Sequence, residues 1–76
     1  MTHTVSAELV ASVLKVGVAV GQQVVAEDEV VLLESMKMEI PVLAEVAGTV
    51  VEVVAHDGDV VRDGDPLVVI EQGRRS

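Results

Sequence analysis

"VSAELVASVLKV" at residues 5–16 and "VLAEVAGTVVEV" at residues 42–53 are one passage written twice. Shifting the chain by 37 positions lays Ala7 over Ala44, Glu8 over Glu45, Val13 over Val50 and Val16 over Val53. The register continues without a gap, with Gly21 over Gly58, Val24 over Val61, Asp28 over Asp65, Val31 over Val68 and Glu34 over Glu71. A valine-rich chain matches itself at many valines by chance, but here Gly, Asp, Ala and Glu match as well. The chain is therefore two copies of one unit, the first about 5–36 and the second about 42–73.

Twenty valines set the kind of unit. Their stiff, β-branched side chains favour strands and disfavour helices. From Leu14 to Val20 the apolar residues fall at 14, 16, 18 and 20, a period of two. Each copy reads as four strands: roughly 4–9, 12–19, 23–25 and 29–34, then 39–44, 49–56, 60–62 and 67–71. Gly21, Asp57-Gly58 and Asp63-Gly64-Asp65 supply turns. Pro66 suits a strand start and Pro41 an edge strand, where a missing N–H is tolerated. Neither copy can bury its face alone, so the expected fold is all-β, a two-sheet sandwich or flattened barrel with pseudo-twofold symmetry.

Between the copies lies "ESMKME", residues 34–39, flanked by "VVLL" and "IPVL". The spacing demands a tight connection, yet the stretch lacks the Gly, Asn or Asp that tight turns favour. Symmetry makes the meeting of the two chain ends the mate of this junction. The Lys37 turn is thus expected at a tip of the molecule, with the termini at the opposite end.

Composition narrows the function. At 76 residues the chain is one small domain, spanning 1–76 with a core of about 5–71. There is no cysteine, which excludes disulfides and Cys-based zinc sites and fits a reducing, cytoplasmic setting. No apolar run approaches membrane-spanning length and "MTHTVSAE" lacks the basic start of a secretory signal, so no membrane partner is expected. A formal charge of −8 without Phe, Tyr or Trp argues against nucleic acid. The acidity serves solubility and the repulsion of wrong partners. "DGDVVRDGD" lacks the ligand order of a calcium loop, and His3 and His56 stand alone, so no metal site is expected. No Ser-His-Asp set, P-loop or dinucleotide fingerprint is present. By itself the chain reads as a non-catalytic protein. Residues 73–76, "GRRS", read as a frayed tail.

"ESMKMEI", "AGTV" with its Gly48 eleven residues beyond Lys37, and "DGDVVRDGDPLVVIE" together resemble the biotinyl domains of the biotinyl/lipoyl attachment family. The similarity is to short, free-standing biotin carboxyl carrier proteins and covers about residues 5 to 71. It implies a flattened barrel of two four-stranded antiparallel sheets. It implies that Lys37 is joined through an amide to biotin by a biotin–protein ligase, on a hairpin turn whose central residues take positive φ. The missing glycine would then be a local rule broken where function requires it. A free lysine amine, with a pKa of about 10.4, is protonated at neutral pH, so the ligase must supply the environment that frees it to attack biotinyl-adenylate. The resemblance further implies a shuttle: a biotin carboxylase loads carboxyl from bicarbonate with ATP, and a carboxyltransferase passes it to an acceptor, typically an acyl-CoA in fatty acid metabolism. Tethering supplies effective concentration and the partner enzymes supply catalysis.

Around Lys37 the residue types carry different weight. Met36 and Met38 flank an exposed turn and cannot both be deep core, so they are expected to serve recognition by the ligase and carboxylase rather than filling gaps. Glu34 and Ser35 join them as candidate recognition residues, although Glu34 repeats at Glu71 and so also reads as a strand-end charge common to both copies. Ser35 stands where the family more often has Ala. Glu27 departs further, because its mate is Gly64, and the first-copy turn is open to distortion. Two other readings are compatible with the chain. One is a lipoyl carrier for a dehydrogenase or glycine cleavage complex, whose turn more often reads Asp-Lys-Ala. The other is an unmodified interaction module of the same fold.

Overall fold

The computed structural model describes residues 1–72, and the expected tail at 73–76 falls outside them. Eight strands run in order: β1 (Thr2–Ser6), β2 (Ala11–Val16), β3 (Gln23–Val24), β4 (Glu29–Ser35), β5 (Met38–Leu43), β6 (Gly48–Val53), β7 (Val60–Val61) and β8 (Pro66–Gln72). No helix occurs among the described residues. The strands form two four-stranded antiparallel sheets, in the orders β1-β8-β6-β3 and β5-β4-β2-β7. Pro66 opens β8, and Pro41 lies in the edge strand β5, as its missing N–H requires.

The internal repeat is a repeat of hydrogen-bond register. Thr2↔Glu71 and His3↔Ile70 in one sheet map, by 37 residues, onto Glu39↔Glu34 and Ile40↔Leu33 in the other. Both copies slip register at the same place, at Leu14 between Val13 and Lys15 and at Val51 between Val50 and Glu52. Such bulges increase local twist, and placing one in each copy bends both sheets alike.

Inward-facing aliphatic side chains fill the space between the sheets. Val5, Val30, Val31, Leu33, Val50, Leu67, Val68 and Ile70 are wholly buried, and no polar side chain is buried among the described residues. Each such burial is worth roughly 1.5–3 kcal/mol relative to exposure. With no aromatic residue available, the core depends on close interlocking of branched aliphatics.

Several strands are shorter than their apolar alternation predicts. β1 ends at Ser6 rather than residue 9, because Ala7 bonds the Asp65 and Gly64 backbone and the chain then crosses to the other sheet. β2 ends at Val16 rather than residue 19. After a last bond from Gly17 N–H to the Val30 carbonyl (2.9 Å), the chain leaves for the opposite sheet, so Val20 is 64 % exposed despite its place in the pattern. β6 ends at Val53 rather than residue 56, where the Val54 and Ala55 N–H groups both turn to the Leu67 carbonyl.

The copies differ at one turn. Gly64 takes φ +92° and donates its N–H to the Ala7 carbonyl at 2.8 Å. Its mate Glu27 is not left-handed; instead Glu45 takes φ +75° and donates to the Ala26 carbonyl at 2.9 Å. Both turns keep the same side-chain brace, Val25 N–H to Asp28 Oδ2 and Arg62 N–H to Asp65 Oδ2, each 2.9 Å. Replacing glycine by Glu27 thus moves the left-handed residue across to the facing segment.

This topology places the start of β1 and the end of β8 opposite the central hairpin. β5 leaves Lys37 and leads to Glu45, whose carboxylate meets His3 at 2.7 Å beside the start of β1. There Gln72 N–H donates to the Met1 carbonyl at 2.8 Å, and the Met1 ammonium lies 2.8 Å from Glu71. Met1, Glu71 and Gln72 close one pole and Lys37 stands at the other.

Candidate functional site

β4 and β5 pair down to Ser35↔Met38, leaving only Met36 and Lys37 to reverse the chain. Their φ angles are +53° and +66°. Two consecutive left-handed residues give the type I′ pattern, whose twist matches that of the flanking strands. Glycine or asparagine adopts this readily, whereas an ordinary L residue is held there at about 1–2 kcal/mol each. The hairpin register enforces it, because sliding by one residue would turn Leu33 out of the core. Strain is located where the sequence breaks its own turn rule.

The tip is open. Met36 is 92 % and Met38 63 % exposed, Lys37 is exposed as well, and no ion pair or hydrogen bond among the described residues engages the Lys37 amine. Neither methionine fills a core gap. Their exposure is a cost in water, which a surface shaped for contact explains better than packing does. Ser35 and Glu34 are half-buried at the neck of the hairpin. Lys15, the other lysine, lies within β2 opposite Leu32, away from any turn.

Glu34 is placed like its mate. It stands opposite Ser12 and Glu39, as Glu71 stands opposite Thr49 and Thr2. This fits a strand-end charge common to both copies. Glu39 is different, and the sequence reading missed it. Its mate is Thr2, so only the Lys37 pole opposes two carboxylates directly across strands, an arrangement that destabilises a sheet. Comparing mates along the repeat would have exposed this substitution.

The arrangement suits covalent attachment. A primary amine on a rigid two-residue tip can enter another protein's cleft without disturbing the sheets behind it, and a group attached there would hang from an exposed point of the molecule. Among the described residues, no ionisable side chain pairs with the Lys37 amine.

Known proteins point the same way. Residues 3–70 match the Biotin_lipoyl family, described as "Biotin-requiring enzyme". The chain is 57 % identical over 70 residues to "Biotinylated protein TB7.3 homolog" of Mycobacterium leprae, covering 92 % of this chain and 99 % of that one. Among solved structures it is similar to part of a single-chain, multi-domain long-chain acyl-CoA carboxylase, with a TM-score of 0.88 and 33 % identity over 99 % of this chain and 7 % of that one. It is also similar to the lipoyl domain of the 2-oxoglutarate dehydrogenase complex of Azotobacter vinelandii, with a TM-score of 0.69 and 31 % identity over 84 % of this chain and 82 % of that one. The match over nearly the whole chain, on a fold whose two halves meet at an exposed lysine hairpin, has one meaning: the chain belongs to the biotinyl/lipoyl attachment domain family.

Proposed function

We propose that this protein is a biotin carboxyl carrier whose Lys37 bears biotin through an amide bond to its ε-nitrogen. The observation that carries the proposal is the turn itself: Met36 and Lys37 are both held left-handed at a fully exposed tip where glycine would be easier. A lysine kept there against local preference is one that another protein must reach. The kinship with a biotinylated protein of nearly equal length supports biotin as the group. The higher TM-score to an acyl-CoA carboxylase than to a lipoyl domain, 0.88 against 0.69, favours biotin over lipoate.

Biotin, once attached, supplies a ureido nitrogen able to accept and release a carboxyl group. The chain's own residues do the rest by position. The β4–β5 hairpin projects Lys37 away from the barrel, so a biotin carboxylase and a carboxyltransferase can each receive the arm in turn. Met36 and Met38 offer deformable apolar contact to the ligase and to those partners. The opposed carboxylates of Glu34 and Glu39 add charge that a basic ligase surface can read. Acyl-CoA carboxylation is the setting in which we place it.

Intact-mass measurement of protein from its native host, followed by peptide mapping, tests the proposal. One biotinyl increment on the peptide containing Lys37 is expected. A lipoyl increment, or no modification, would overturn it.

A further inference from the structure

The pseudo-twofold axis provides an internal comparison at the seam where each crossover between sheets passes an edge strand. At the terminal pole this seam is closed, with His3 Nε2 2.7 Å from Glu45 Oε1. The equivalent pair at the Lys37 pole is Ile40 and Glu8. Ile40 has no polar atom to offer, and no ion pair among the described residues engages Glu8. The seam stays open there. A groove of about 250 Å³ lies along the edge of β5 and runs from this seam toward the closed one, walled by Ile40, Val42 and Leu43 on one side and Glu8 and Leu9 on the other, with buried Leu33 beneath and Glu45 also in its lining.

We propose that this groove is the resting seat of the biotinyl arm, an inference that rests on Lys37 carrying biotin. The arm's origin is three residues from Ile40 on the same hairpin, about 10 Å of strand at 3.2–3.4 Å per residue. Lysine's four methylenes, the amide and the valeryl chain together reach that far. Amide formation removes the lysine charge, so the arm is apolar except for its amide and ureido groups, matching a largely apolar groove with two carboxylates in its lining, of which Glu45 is already paired with His3 and Glu8 is not. Glu8 can accept a hydrogen bond from a ureido N–H. The unmodified side chain has no such seat, because it is shorter and its ammonium would lose hydration against Leu9 and Ile40. Seating therefore depends on modification, and the groove gives the carrier a docked state from which either partner enzyme withdraws the arm.

Methyl-labelled protein, treated with biotin ligase and shown by intact mass to carry one biotin, tests this by comparing methyl NMR spectra before and after modification. Shifts at Leu9, Ile40 and Leu43, with nuclear Overhauser contacts from the biotin ring to these methyls, are expected. Ile40→His, which copies the closed seam onto this pole, should abolish the shifts at Leu9 and Leu43 in biotinylated protein. If that variant takes up no biotin, Leu9→Asp removes the apolar wall from the other side and should give the same loss. Full biotinylation with perturbations confined to residues 35–38 would overturn the groove proposal while leaving the carrier function intact. Shifts at the groove that arise only on adding a carboxylase would assign it to protein docking and overturn it too. Absence of any added mass would overturn both readings.

Discussion

A Cβ built on Gly48 would overlap the carbonyl oxygen of Glu71 and come within 2.9 Å of the Gln72 Cα. β8 extends its pairing onto Gly48, which is also paired with Val24 of β3 on its other side. The mate position holds Ala11, and there the pairing of β2 with β4 begins one residue later, at Ser12. The methyl that one sheet accepts is excluded from the other. Gly48→Ala should therefore cost at least about 2 kcal/mol, and Gly48→Val more, since β6 and β8 must part. A urea titration reads this, and an unchanged midpoint for Gly48→Val would refute the close approach.

Gly58 needs glycine for a different reason. Its φ is +92°, yet nothing lies within 4 Å of a Cβ placed there. Gly58→Ala should cost about 1 kcal/mol, the conformational penalty alone, and clearly less than Gly48→Ala. Equal losses at both positions would mean that the two glycines share one cause.

The hairpin makes a prediction of opposite sign. Met36→Asn with Lys37→Gly installs the pair that a type I′ turn prefers. Relief at two left-handed residues should raise stability by about 1–2 kcal/mol, or a melting temperature roughly 4–16 °C higher. The variant should also lose all acceptance of biotin. If it melts at or below the parent temperature, the turn is not strained as described.

Glu39 gives a related trade. Glu39→Thr copies Thr2, its mate, and removes the carboxylate opposed to Glu34. Stability should rise by a few tenths of a kcal/mol up to about 1 kcal/mol. Biotinylation by the ligase should slow, most visibly at low salt, where charge steers encounter. Faster labelling would show that the second carboxylate opposes recognition.

Much of the molecule was legible because it is encoded twice. Matches such as Gly21/Gly58 and Asp28/Asp65 fixed turns in both copies, and a turn fixes the register of the strands it joins. Met36-Lys37 was legible by exclusion, as a tight connection without a turn residue. Strand ends were not, because Val18 and Val20 keep the alternating pattern after their partner strand has turned away. The left-handed Glu45 was hidden as well, since its conformation answers a residue missing far along the chain, the glycine that Gly64 supplies in the other copy. Glu39 and the open seam at Ile40 and Glu8 were hidden differently. Both are visible only where the copies disagree, and matching the repeat directs attention to where they agree.

Lys37 itself separates fold from function. Because the side chain is exposed and engages nothing among the described residues, Lys37→Ala should shift stability by no more than about 0.5 kcal/mol. Alanine tolerates positive φ no better than lysine, so no strain is relieved. Lys37→Arg keeps the charge but offers a guanidinium that stays protonated and cannot act as the amine nucleophile. The most direct measurement is therefore labelling of the parent, Lys37→Ala and Lys37→Arg proteins by biotin ligase, each checked by melting curve and by peptide mapping. One biotin on Lys37 of the parent, none on either variant, and three nearly superposed melting curves are expected. Biotin on Lys15, or labelling that survives either substitution, would contradict it.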